Sequence, residues 1–261
     1  MRSLNIAATG MLAQQLNVEV ISNNIANMNT TAFKRQRAEF QDLLYQDQER
    51  VGSASSDTGT IVPAGIQIGV GVKAAAVYRI TEQGNLTSTN NTYDIAVQGK
   101  GFFSVTLPNG DTAYTRAGSF QLSPQGTIVT TDGYTVAPGI TIPANTISVT
   151  INPSGEVLAK IQGTITPQNV GQLTLTNFAN EAGLEPLGDN LFLETPASGP
   201  GVGGTPGTTG FGTILQGFLE TSNVNVVSEI TNLITAQRAY EMNSKVIETS
   251  DQMLQTLTNM R

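Results

Sequence analysis

All 11 prolines of this 261-residue chain lie between Pro63 and Pro206, and every glycine except Gly10 lies between Gly52 and Gly217. Proline removes a backbone donor, and glycine loses the most conformational freedom on ordering, so both interrupt helices. Their confinement divides the chain into a breaker-poor N-terminal segment, a β- and loop-rich middle, and a breaker-free C-terminal segment.

The two ends carry helical periodicity. Leu4, Ala7, Met11, Val18, Ile21, Ile25 and Met28 recur in alternating steps of three and four, interrupted at Gln14, which predicts a narrow coiled-coil-like seam. Val226, Leu233, Tyr240, Ile247 and Leu254 repeat every seven residues, and Ile230, Ile234, Ala236, Val246, Met253 and Leu257 widen that stripe. Nothing from Phe218 onward breaks a helix; Ser222 or Asn223 offers an N-cap oxygen, and Glu229 opposes the dipole in an early turn. A helix of about 30 residues is about 45 Å long, so the ends are predicted to pack on each other with apolar surface left over for neighbouring subunits. The blander alternative is a helical hairpin that caps the β core.

The middle reads as short strands: Tyr93–Gln98, Phe102–Leu107, Thr127–Thr131, Ile140–Ile142, Ile147–Ile151, Glu156–Ile161 and Gln172–Thr176. Asn109-Gly110, Asp132-Gly133 and Ser154-Gly155 are turn pairs between them. Two stretches read as linkers, Gln46–Gly65 and the glycine-rich Ser198–Gly212. The expected class is α+β, with long terminal helices packed as a coiled coil and an irregular antiparallel β-rich middle. The expected domains are residues 1–45 with 217–261 as a helical assembly domain, 46–95 with 185–216 as an extended connection, and 96–184 as a β-rich outer domain.

Composition narrows the chemistry. There is no cysteine, histidine or tryptophan, which excludes disulfides and thiolate metal sites and removes the usual general base. A net charge of −7 disfavours a nucleic-acid partner. Only 13% of residues are charged, a composition suited to surfaces covered by neighbours. No stretch approaches the roughly 20 apolar residues of a transmembrane helix, and Asn5, Thr9, Gln14 and Gln15 interrupt any secretory core, so no cleaved signal peptide is expected.

Isolated motifs add little. Gly65-Ile66-Gln67-Ile68-Gly69-Val70-Gly71-Val72-Lys73 lacks a Gly-Lys-Ser/Thr ending, and Gly99-Lys100-Gly101 reads as a tight turn. Asp94, Asp111, Asp132, Glu156, Glu181, Glu185 and Asp189 fall in or beside turns, with no calcium-loop spacing. Lys34, Arg35 and Arg37, flanked by Phe33 and Phe40, form the one basic cluster. They are expected to meet acidic groups of neighbouring subunits or to position the turn after the first helix. Arg238 and Tyr240 give the last helix an amphipathic contact point.

Two motifs carry a resemblance. Val20-Ile21-Ser22-Asn23-Asn24-Ile25-Ala26-Asn27-Met28-Asn29-Thr30-Thr31-Ala32-Phe33-Lys34-Arg35 closely resembles the N-terminal signature of the flagellar axial family of rod, hook and hook-associated proteins. Glu220-Thr221-Ser222-Asn223-Val224-Asn225-Val226, leading to Gln237-Arg238-Ala239-Tyr240-Glu241, resembles its C-terminal signature. Phe40-Gln41-Asp42-Leu43-Leu44-Tyr45, Gly65-Ile66-Gln67-Ile68-Gly69-Val70-Gly71, Gln83-Gly84-Asn85-Leu86, Gly99-Lys100-Gly101-Phe102-Phe103 and Tyr114-Thr115-Arg116-Ala117-Gly118-Ser119-Phe120 are similar to the distal-rod branch. Proximal-rod subunits are the alternative within the family, and a cell-envelope binding module is the alternative outside it.

The resemblance implies a non-enzymatic, cofactor-free subunit of the basal body, exported through the flagellar type III apparatus and polymerised across the periplasm into a hollow helical homo-oligomer. It implies proximal rod proteins, the hook protein, P- and L-ring proteins and the rod cap as partners. With the seams, it nominates Leu4, Met11, Val18, Ile21, Asn23, Asn24, Ile25, Asn27, Phe33, Lys34, Arg35, Val226, Leu233, Arg238, Tyr240, Ile247 and Leu254 as assembly residues. It also implies a stiffening role for Gln46–Gly65.

Overall fold

The breaker-poor N-terminal and breaker-free C-terminal segments become the two long helices of an α+β chain, which a computed structural model describes over residues 2–49 and 65–259. Helix α1 spans Arg2–Ala26 and α2 spans Val226–Asn259. No helix among the described residues is long and apolar enough to cross a membrane. The chain divides into two compact units.

In the first unit, α1 and α2 pack against each other beside a two-stranded ribbon. Its strands are Gln36–Asp42 with Val72–Arg79, and Tyr45–Glu49 with Ile66–Gly69. Hydrogen bonds from the Leu43 amide to Gly71 O (2.8 Å) and from the Val70 amide to Leu44 O (3.2 Å) join the two pairings. This ribbon corrects one expectation. Residues Gln46–Glu49 are paired strand rather than linker, because backbone pairing needs no apolar side chains. The rest of that predicted linker, residues 50–64, lies outside the described residues.

The second unit holds residues Asn27–Arg35 and Arg79–Val224, and all its strand pairings are antiparallel. A nine-stranded sheet has Phe102–Thr106 near its middle, bonded to Thr112–Thr115, Thr135–Val136 and Leu175–Asn177. A three-stranded sheet joins Thr146–Ile151, Glu156–Ile161 and Gln168–Gln172. The core includes Ile95, Val97, Phe103, Phe120, Val157 and Ile214, and the Phe103 and Phe120 rings meet edge to face at 5.1 Å.

The predicted turn pairs form as expected: Gly110, Gly133 and Gly155 have φ of +90°, +86° and +82°. The single strand expected at Gln172–Thr176 is two strands, because Leu173 turns into the core and the chain changes sheets there. Ile140 and Ile142 are buried without forming a strand. Within the expected linker Ser198–Gly212, Val202–Gly204 pairs with Leu175–Asn177.

Candidate assembly surfaces

Small and polar residues meet between α1 and α2 at three levels. Ser250 Oγ lies 3.4 Å from Ser3 Oγ, and Asn24 Nδ2 donates to Glu229 Oε2 at 3.3 Å. Between them, a Cβ added to Gly10 would stand 2.9 Å from Asn243 Nδ2. These contacts pair the start of one helix with the end of the other, so the helices run antiparallel. Ser3, Gly10, Asn17 and Asn24 are spaced by seven, as are Glu229, Ala236, Asn243 and Ser250.

Within α2, Glu229, Ala236 and Ser250 are the buried residues among those described. The predicted row Val226, Leu233, Ile247 and Leu254 is half-buried beside that line, while Tyr240 in the same row is 43% exposed. On α1, Ile21 is buried and Leu4, Met11, Val18 and Ile25 are half-buried, while Ala13, Val20 and Asn24 join the buried set. The contact line therefore lies one position before the predicted apolar row on α1 and three positions after it on α2. Small residues let helix axes approach closely, and the apolar rows then straddle the contact. Asn23 and Arg238 are exposed, and Asn27, Phe33 and Arg35 half-buried.

Asn225, rather than Ser222 or Asn223, caps α2: its Oδ1 accepts the Ser228 amide at 3.2 Å. Asn223 is committed elsewhere. Its Oδ1 accepts the Arg35 amide at 2.7 Å, and its Nδ2 donates to the Ile80 and Glu82 carbonyls at 2.9 and 3.0 Å. Residues Phe218–Glu220, read as open to helix, are a strand paired with Leu86–Ser88.

The second unit contains a buried charge cluster. Glu220 is bound by Lys34 Nζ at 2.5 Å and by Arg116 Nε at 2.7 Å, with side-chain exposures of 1%, 8% and 7%. The Gly84 amide also donates to Glu220 Oε1 at 2.9 Å, and Lys34 donates to Glu82 O at 2.8 Å. Arg116 gives its remaining donors to the carbonyls of Gly101, Val97 and Gly99. Position 84 admits only glycine, since a Cβ there would lie 1.9 Å from Thr221 O.

Burial alone would raise the Glu220 carboxyl, but Arg116 and Lys34 outweigh it and hold it below the ordinary carboxylate value. Burial pushes the Lys34 ammonium below its ordinary value, and Glu220 offsets this only in part. Lys34 is thus satisfied within its own chain, in the turn-positioning role rather than the intersubunit one. Glu220 and Arg116, which pair with Lys34 here, carry no mark of that pairing in the sequence pattern. The available signal was only the rarity of charge in this chain, 13% of residues.

Exposed apolar side chains remain on both flanks of the α2 contact face. Val227, Ile230 and Ile234 lie on one, with Val227 76% exposed, and Met242, Val246 and Met253 on the other. No group of acidic side chains among the described residues could hold a metal ion.

Comparison with known proteins agrees along the whole chain. Residues 4–34 match the family described as flagella basal body rod protein, 96–159 the flagellar hook protein FlgE/F/G D1 domain, and 215–260 the flagellar basal body rod FlgEFG protein C-terminal region. The chain is 64% identical to the flagellar basal-body rod protein FlgG of Caulobacter vibrioides, covering 100% of both chains. It is 54% identical to FlgG of Agrobacterium fabrum over 97% of each chain, and 52% identical to FlgG of Buchnera aphidicola subsp. Schizaphis graminum over 99% of each. With terminal helices carrying both signatures and full-length identity of this order, the chain belongs to the flagellar basal-body rod and hook protein family.

Proposed function

We propose that this chain is a structural subunit of the distal flagellar rod, polymerising into a stiff hollow shaft that carries torque toward the hook and admits export through its channel. The observation that carries the reading is end-to-end identity with proteins named FlgG. The exposed apolar rows on both flanks of α2 support it, because an apolar surface of this kind is suited to burial against further copies. A contact that repeats without closing into a ring yields an open helical filament, the form a shaft requires.

In this reading the terminal helices form the inner tube as a coiled coil, residues 96–184 face outward, and the subunit sits across the periplasm after export without a cleaved signal. Its neighbours are the proximal rod proteins, the hook protein, the P- and L-ring proteins, the rod cap and the export apparatus. The chain works mechanically and performs no catalysis. Residues 46–65 stiffen the shaft.

Electron microscopy of the concentrated protein tests the assembly. Straight tubes are expected, and persistent monomers whose melting shifts with an added envelope glycan would replace this reading with a binding module. Deletion of residues 46–64 should give tubes that bend, and tubes as straight as the parent's would remove the stiffening role.

A further inference from the structure

The apolar rows of the helix pair cannot by themselves set its register. Val226, Leu233, Tyr240, Ile247 and Leu254 repeat every seven residues, as do Leu4, Met11, Val18 and Ile25. Sliding one helix past the other by seven residues therefore brings an equivalent apolar row into place. The contact line has no such degeneracy, since Ser3, Gly10 and Asn24 meet Ser250, Asn243 and Glu229, and the same seven-residue spacing sets Asn17 against Ala236.

We propose that this polar contact line is a register lock, which selects one antiparallel alignment of α1 with α2 from the several that the apolar rows would accept. The inference concerns pairing within one chain and does not rest on assembly. The lock has a fixed end and a shape-matched middle. At the fixed end, Asn24 is pinned by its own ribbon: Nδ2 donates to Gln36 O and the Gln36 amide donates to Oδ1, both at 2.8 Å. The same Nδ2 reaches Glu229, whose side chain belongs to a residue only 4% exposed. In the middle, Gly10 makes room for Asn243.

A slip of seven residues in one direction sets Glu229 opposite Asn17 and Asn243 opposite Ser3, where no glycine makes room. A slip in the other direction carries Glu229 beyond the end of α1 at Ala26. Buried polar groups that are satisfied in only one alignment lower stability but fix register. Among the described residues no buried side-chain nitrogen or oxygen lacks a hydrogen-bond partner, so the observed alignment is the satisfied one.

The absence of native cysteine gives a clean background for the test. In the full chain, the pair Ser3→Cys with Ser250→Cys reports the observed register, and Ser3→Cys with Asn243→Cys or Gly10→Cys with Ser250→Cys reports a seven-residue slip. Each slipped-register pair replaces one residue of the shape-matched middle, so with Glu229 intact it should close far less than the first pair under mild oxidation, the Asn24–Glu229 end alone then holding the register. Adding Glu229→Leu to any pair, and Asn243→Leu where position 243 is not the cysteine, should leave helical content unchanged by circular dichroism. It should raise slipped-register closure at least several-fold. The corresponding Gln substitutions should keep the single register, which separates loss of polarity from loss of fold. Equal closure of all pairs in the parent chain, or no slipped closure in the folded Leu variants, would overturn the proposal.

Discussion

The Lys34 ammonium and the Glu220 carboxylate lie 2.5 Å apart across 186 residues of sequence, both buried, with Arg116 on the second carboxylate oxygen. Removing one member of such a group leaves the others uncompensated in a poorly solvated site, at a cost of about 3–5 kcal/mol. Glu220→Ala strands two cations and should lower the unfolding free energy of the second unit by this much, read as a lower urea midpoint at unchanged slope. Lys34→Met leaves Glu220 still bound by Arg116 and the Gly84 amide and should cost less. Equal losses for the two variants would contradict this ordering.

Acid should weaken the same cluster. Glu220 titrates below its unfolded value of 4.5, so its stabilisation is present above that pH and is lost as pH falls through the folded value. Lys34, lowered from 10.5, is protonated in folded and unfolded states at acidic pH and adds no opposing slope there. Stability measured from pH 6 downward should therefore fall through the acid range, with a smaller fall in Glu220→Gln.

Ala32 stands in the left-handed region at φ 57°, with its amide donating to Glu220 O at 2.8 Å. A side chain costs roughly 1–2 kcal/mol there, which glycine avoids and a β-branched residue aggravates. Ala32→Gly should raise the unfolding midpoint and Ala32→Val should lower it, as denaturant titration would show.

The two kinds of apolar position on α2 should separate by phenotype. Leu233→Asp and Ile247→Asp place charge beside the contact line and should reduce helical content, whereas Ile234→Asp and Met242→Asp alter exposed positions and should leave it intact. Both classes should abolish tubes in electron micrographs if the flanking rows meet further copies. Normal tubes from Ile234→Asp would show that this flank is not a contact.

The features readable from the sequence were those with local causes. The confinement of proline and glycine located both helices, and Asn109-Gly110, Asp132-Gly133 and Ser154-Gly155 located three hairpins, because each acts through the backbone of its own neighbourhood. The ribbon of Gln36–Glu49 with Ile66–Arg79 was illegible because it buries little: Leu44 and Val77 are exposed, Val72–Arg79 shows no burial alternation, and the half-buried positions that do alternate in Gln36–Asp42 are Gln36, Ala38 and Phe40, a weak apolar signal. The helix contact line was misplaced for a related reason. Periodicity marks where large apolar residues recur, and here small residues beside them set the approach. The pairing of Lys34 with Glu220 has no local signal, since only the folded chain brings them together.

The seven-residue spacing of the helix contacts also restricts how the gene can change in length. Losing one or two codons within α1 would rotate every later contact residue off the line. Removing a whole repeat would preserve the facing side chains, provided that the matching repeat some 200 codons away, at the separation of Asn24 and Glu229, were removed as well. The lengths of the two ends are therefore coupled through a common unit of seven residues, whereas loop tips in the second unit, such as Asp132-Gly133, can lengthen one residue at a time.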